Sequence, residues 1–171
     1  VESVSKIEKI KGGLKGLIIG EVMSCIPHPN ADKLKLTQVD VGSDDLISIV
    51  CGAANISAGQ KVAVAPVNCL IYPVKGEPFQ IKKTKIRGEV SQGMICAEDE
   101  IGIGSSHEGI MVLTTDYTNG TPLNKIYESK EDIVYEIGLT PNRGDATSHL
   151  GTARDLKAYF NRSLTLPILK N

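Results

Sequence analysis

Lys33-Leu34-Lys35-Leu36-Thr37-Gln38-Val39-Asp40-Val41 alternates in two frames. Leu34 and Leu36 share one parity, while Val39 and Val41 share the other. Successive side chains of a strand point to opposite faces, so one frame would bury what the other exposes. One extra residue around Thr37-Gln38 restores a single buried face, and the pattern predicts a β-bulge there. A bulged strand bends and twists, as a sheet must to close into a small barrel.

The flanking sequence supplies further short strands. Leu17 to Ile26 reads as a strand ended by Pro27-His28-Pro29-Asn30, where two prolines favour a loop. Asp44-Asp45 reads as a turn, with Leu46 to Cys51 returning from it. Gly52 to Gly59 is a loop, Lys61 to Ala65 a strand, and Val74 to Pro78 a turn. Phe79 to Arg87 reads as one basic strand, followed by Ser91 to Cys96 and Ile110 to Leu113. Many short strands separated by turn residues predict a mainly β fold, a five-stranded barrel. Residues 1–16 read as a basic lead-in and 17–128 as the barrel domain. In 129–171, Ile133, Tyr135, Ile137 and Leu139 alternate. Leu150, Ala153, Leu156 and Tyr159/Phe160 then recur at helical spacing, with Ser148 as N-cap and Asn161 near the end. This strand–turn–helix predicts the start of a small α+β unit.

The 171 residues are 41% apolar and 23% charged, a balance that argues for a packed core rather than disorder. With no Trp, two Phe and five Tyr, that core must rest on Val, Ile, Leu and Ala. No apolar run approaches the ~20 residues of a membrane span, and no signal-peptide core precedes the barrel. The four cysteines lack zinc-ligand spacing and read as free thiols of a cytoplasmic protein. The Asn-x-Ser/Thr sequons at Asn55, Asn119 and Asn161 read as chance. The chain opens on Val1 and reads as a piece of something longer.

Net charge is −1, but its distribution is uneven. Lys75 to Arg87 holds five cations and one anion, whereas Glu98-Asp99-Glu100 is wholly acidic. Lys82, Lys83, Lys85 and Arg87 would occupy both faces of a strand, suiting either a solvated edge or a phosphate-binding stripe. The His28 to Leu34 loop would present His28, Asn30 and Lys33 at a barrel rim, and Asn55 offers an amide to read or brace a neighbour. Cys51 has no nearby His to activate it. Gly102-Ile103-Gly104 lacks the third glycine of a dinucleotide loop, His28, His107 and His149 are scattered, and Arg143-Gly144-Asp145 reads as a turn before a helix. The sequence offers no catalytic constellation and no metal site.

Three ordered blocks carry a resemblance: His28-Pro29-Asn30-Ala31-Asp32-Lys33-Leu34, then Val50-Cys51-Gly52-Ala53-Ala54-Asn55, then Lys85-Ile86-Arg87-Gly88-Glu89-Val90-Ser91-Gln92-Gly93-Met94. Together they resemble the EMAP-II type of tRNA-binding domain, an OB-fold. Leu139 to Asp145 and His149 to Leu156 resemble the segment C-terminal to that domain in the β subunits of bacterial phenylalanyl-tRNA synthetases. The resemblance implies a tRNA-binding piece of an α2β2 class II ligase. Its partners would be tRNA, the α subunit and a second β subunit. ATP and magnesium would serve the full enzyme, with no cofactor in this piece and no membrane. It places tRNA contacts on Lys82, Lys83, Lys85 and Arg87, with His28, Asn30, Lys33 and Asn55 at the rim; Ser91 and Met94 match the motif but suit the turn and core equally. Only Tyr72 and Phe79 lie between Leu17 and Val90 as aromatics, so shape and phosphate recognition is expected over base stacking. A stand-alone tRNA-binding protein and a scaffold domain without RNA contact are the alternatives.

Overall fold

The computed structural model describes residues 1–127 and 131–166. Its strands are β1 (Ser3–Glu8), β2 (Ile18–His28), β3 (Ala31–Asp40), β4 (Ile47–Cys51), β5 (Lys61–Pro66), β6 (Leu70–Ile71), β7 (Phe79–Gln80), β8 (Thr84–Ile86), β9 (Glu89–Ser91), β10 (Gly93–Ile95), β11 (Val112–Leu113) and β12 (Glu131–Glu136). One α-helix, α1, spans His149–Phe160. None of the described helices is long and apolar enough to cross a membrane.

Glu8–Asp132 forms one compact unit. Its antiparallel sheet runs β10-β5-β2-β3-β4, with β11 also on β5. The ends of this path meet through Ser91 and Gln92. Val50 N donates to Ser91 Oγ at 3.1 Å, and Gln92 N donates to Ser48 O at 2.8 Å. The result is a nearly closed barrel of the OB type. Its core is aliphatic, as the shortage of aromatics requires: Ile19, Val22, Val39, Ile49, Val62 and Val64 are all buried.

The bulge lies across the ladder from its expected place. β3 pairs with β4 without a break from Lys35↔Cys51 to Val39↔Ile47. In the β2–β3 pair, Val22 faces Val39 and Ser24 faces Gln38, so the extra residue is Met23 of β2. β3 keeps its register because Thr37, 1% exposed, takes a core-facing position and donates its hydroxyl to Ile49 O at 2.8 Å. A satisfied hydroxyl can be buried where an apolar side chain was expected. Strand β2 also runs through Pro27, which pairs with Lys35. Proline is tolerated there because β2 meets β5 only from Ile18 to Glu21, leaving its later half an edge.

Val1–Ile7 and the described residues from Ile133 onward form a second unit. Here β1 pairs with β12, and Glu2 N donates to Glu136 O at 2.8 Å. Residues 1–16 are therefore divided: Ser3–Glu8 is strand, while Ile10 and Leu14 are buried in the barrel core. Helix α1 begins where Ser148 Oγ accepts from Gly151 N at 3.1 Å, and ends at Asn161, in the left-handed region at φ 49°. Arg143 binds Asp145 at 3.1 Å and Asp155 at 2.7 Å, pinning the preceding turn to that helix. The tripeptide Arg143-Gly144-Asp145 is thus a structural turn.

Candidate nucleic-acid interface

The expected single basic strand from Phe79 to Arg87 is two strands with a break. β7 pairs with β6, and β8 pairs with β9 in a hairpin, leaving Lys82 and Lys83 between them outside any strand. The break arises at Ile81. Its side chain is buried, and its N–H and C=O bond Cys69 O and Asn68 N at 2.8 Å each. That anchor turns the chain inward, and the two lysines emerge beyond it. The β8–β9 hairpin turns on Arg87-Gly88, with φ values of 52° and 105°. Two positive φ angles in a two-residue loop are the type I′ geometry that matches strand twist. Lys82, Lys83, Lys85 and Arg87 are all exposed, and none pairs with a carboxylate among the described residues.

His28 fixes where this arm lies. It is 5% exposed. Its Nδ1 accepts from Asn30 N at 3.0 Å, so Nε2 carries the proton and faces Ile86 O at 3.3 Å. The β2–β3 loop is thereby tied to the β8–β9 hairpin across 58 positions of sequence. Asn30 and Lys33 are exposed beside that tie, and a Cβ at Gly88 would lie 3.8 Å from Asn30 Nδ2. In an OB barrel, the loop joining the first two strands and the loop joining the last two flank the nucleic-acid face. The tie joins the β2–β3 loop to a hairpin that lies within the connection from β5 to β10. His28 itself is not presented at the rim; it holds the rim together.

Three other expected residues have structural work. Ser91 is buried, donating to Gly93 O at 3.0 Å while accepting from Val50 N. Asn55 clasps one backbone residue with both ends of its amide: Nδ2 donates to Ile110 O at 2.9 Å and Oδ1 accepts from Ile110 N at 3.0 Å. In this position it braces the Ile110 backbone. Met94 is half-buried against the core and lines two depressions that also share Val50.

One depression, of about 370 Å³, is bordered by Gln80, Lys82, Thr84 and Ile86. The other, of about 400 Å³, is bordered by Cys51 to Ala54, Glu100, His107 and Glu108. The two ends differ in sign, basic beside the hairpin and acidic beyond Gly52. Donation of a hydrogen bond from Nδ1 to the Asp99 carboxylate at 3.0 Å raises the His107 imidazole above its ordinary 6.5. Burial raises the Cys51 thiol above 9.0, so it lines its depression as a protonated, inert group. Gln80 and Thr84 are unanticipated neighbours of Lys82. Their only sequence signal is that they flank the basic run, which is too weak to separate them from ordinary turn residues. No group of three or more metal-ligating side chains occurs among the described residues.

A family model described as "Putative tRNA binding domain" matches residues 17–122. The chain is 55% identical over 157 residues to a phenylalanine–tRNA ligase beta subunit of Bacteroides fragilis, a match covering 92% of this chain and 19% of that relative. Against the same subunit of Dickeya dadantii it is 44% identical over 164 residues, covering 96% and 20%. Among solved structures, a MetRS related protein from Pyrococcus horikoshii aligns with a TM-score of 0.46 at 22% identity, over 63% of this chain and 87% of that one. The chain spans about a fifth of the length of the curated relatives it matches.

Proposed function

From the premise that this chain belongs to the tRNA-binding domain family, we propose that the β8–β9 hairpin and the β2–β3 loop form its tRNA-contacting edge, acting within a phenylalanine–tRNA ligase β subunit. The observation that supports this reading is the tie between His28 and Ile86, which joins the turn before Asn30 and Lys33 to the hairpin that bears Lys85 and Arg87, with Lys82 and Lys83 just ahead of it in sequence. The four cations of the arm are exposed, make no ion pair among the described residues, and are available to phosphate oxygens. No Phe or Tyr among the described residues is buried or lines either depression beside Met94, so the surface favours the shape and backbone of folded tRNA over stacked bases.

In the longer enzyme this edge supports aminoacylation of tRNA with phenylalanine by holding the tRNA body. Charging takes place elsewhere, with ATP and magnesium, in an α2β2 cytoplasmic assembly that includes the α subunit and a second β subunit. The test uses the full-length protein with its α partner, carrying Lys82→Glu, Lys83→Glu and Lys85→Glu together. Weaker tRNA binding with a shallower salt dependence is expected. Unchanged affinity in a folded assembly would remove this edge from the interface.

A further inference from the structure

Asn119-Gly120 is the sole Asn-Gly pair in the sequence. It lies in a strap that comes after β11 and closes over the start of β2. Ile19 N donates to Thr121 O at 2.9 Å, Gly120 N donates to Ile19 O at 2.7 Å, and Leu123 N donates to Leu17 O at 2.9 Å. Leu123 is wholly buried. The strap is stitched down on both sides of Gly120 and nailed by one core side chain.

The Asn119 side chain is also held. Nδ2 donates to Asp40 Oδ2 at 2.8 Å and to Glu21 Oε2 at 3.2 Å. Glu21 and Asp40 are direct partners in the β2–β3 ladder. Like charges facing each other destabilise a sheet, and a single neutral donor between them relieves that conflict. Asn119 Oδ1 is buried and has no hydrogen-bond partner among the described residues.

An unrestrained Asn-Gly pair is chemically fragile, because glycine has no side chain to shield its own nitrogen. That nitrogen attacks the Asn Cγ. A bond forms between them, the Cγ–Nδ2 bond breaks, and ammonia leaves with the proton given up by the glycine nitrogen. Water then opens the cyclic imide at either carbonyl, giving aspartate or isoaspartate. No electron acceptor or donor is needed. In the closed strap both reacting groups are engaged: the Gly120 N–H is committed to Ile19, and the leaving nitrogen is committed to two carboxylates.

We propose that Asn119-Gly120 is a latent deamidation site, silent while the strap is closed and reactive once it opens. The product sets a third carboxylate against Glu21 and Asp40 and removes the amide that bonded both. Reclosure is then opposed, so a transient opening leaves a permanent chemical mark.

The full-length protein is incubated in mildly alkaline buffer, with and without denaturing urea, and mapped by peptide mass spectrometry. The readouts are a one-dalton gain and isoaspartate at residue 119. Conversion in urea is expected to be at least about tenfold faster than in the folded protein. Leu123→Ala, which loosens the strap without touching a reacting atom, should raise the folded-state rate, and Leu123→Val serves if the alanine variant does not fold. Equal rates in folded and denatured protein would overturn the proposal. So would absence of conversion in urea, or a loosened strap, shown open by hydrogen exchange, that converts no faster than the parent.

Discussion

The imidazole Nε2 of His28 lies 3.3 Å from the carbonyl oxygen of Ile86, and this contact spans the gap between the β2–β3 loop and the β8–β9 hairpin. Replacing His28 with Ala leaves both Ile86 O and Asn30 N without their partner. The expected loss of stability is about 1–3 kcal/mol. Because no charge is removed, the intrinsic salt dependence of tRNA binding should stay near its original slope while affinity falls. Thermal melts and salt titrations of binding separate the two. A slope that changes as much as it does for a lysine substitution would mean His28 itself meets phosphate.

Neutralising Lys82, Lys83, Lys85 or Arg87 singly should reduce the slope of log affinity against log salt by roughly 0.7–0.9 for each phosphate no longer neutralised. The four exposed side chains make no ion pair among the described residues, so folding stability should change little. Binding measured at several salt concentrations reports on each cation. A set of four variants with parental slopes would mark these residues as solvated edge groups.

Asn55 should behave as a brace. Asn55→Ala removes two hydrogen bonds to Ile110 and is expected to cost about 1–3 kcal/mol. Gly109→Ala should act in the same direction, since a Cβ there would overlap the Asn55 amide. For both, tRNA affinity per folded molecule should match the parent. Weakened binding by a fully folded Asn55→Ala protein would restore this residue to the interface.

Asp40 gives a pH signature. Its carboxylate accepts from Asn119 Nδ2 and Gly42 N, each at 2.8 Å, which holds it below its ordinary value of 3.8. The lowered value means the fold favours the ionised form. That contribution is present above 3.8 and is lost as pH falls through the native value. The parent should therefore lose its advantage over Asp40→Asn in acid, with melting temperatures converging as pH falls below 3.8. A difference that stays constant from neutral pH downward would contradict the assignment.

The barrel is legible in the sequence because its signal is local. Alternation, turn residues and the scarcity of aromatics can be read within short windows, and they point to short strands around an aliphatic core. Three ordered blocks of sequence point to the same family that residues 17–122 match. The features that sequence hides are set by partners distant along the chain. The frame change at Thr37-Gln38 is real, but whether a bulge or a buried hydroxyl resolves it depends on Ile49 O. The basic run reads as one strand because the buried anchor at Ile81 is invisible without Cys69 and Asn68. His28 reads as exposed because its bond to Ile86 crosses 58 positions. The Asn55 amide suits reading or bracing equally in the sequence, and its bonds to Ile110 are formed by a partner 55 positions away.

The turn at Arg87-Gly88 carries a further consequence. A side-chain-bearing residue at φ 52° is held in a region that costs roughly 1–2 kcal/mol, where Gly or Asn would sit at ease. Backbone ease alone would favour one of those two at position 87. The arginine there puts a cation at the tip at the expense of a relaxed backbone. The two effects become measurable as opposite signs: Arg87→Gly should melt higher while gripping tRNA less well, so the hairpin tip trades durability against hold.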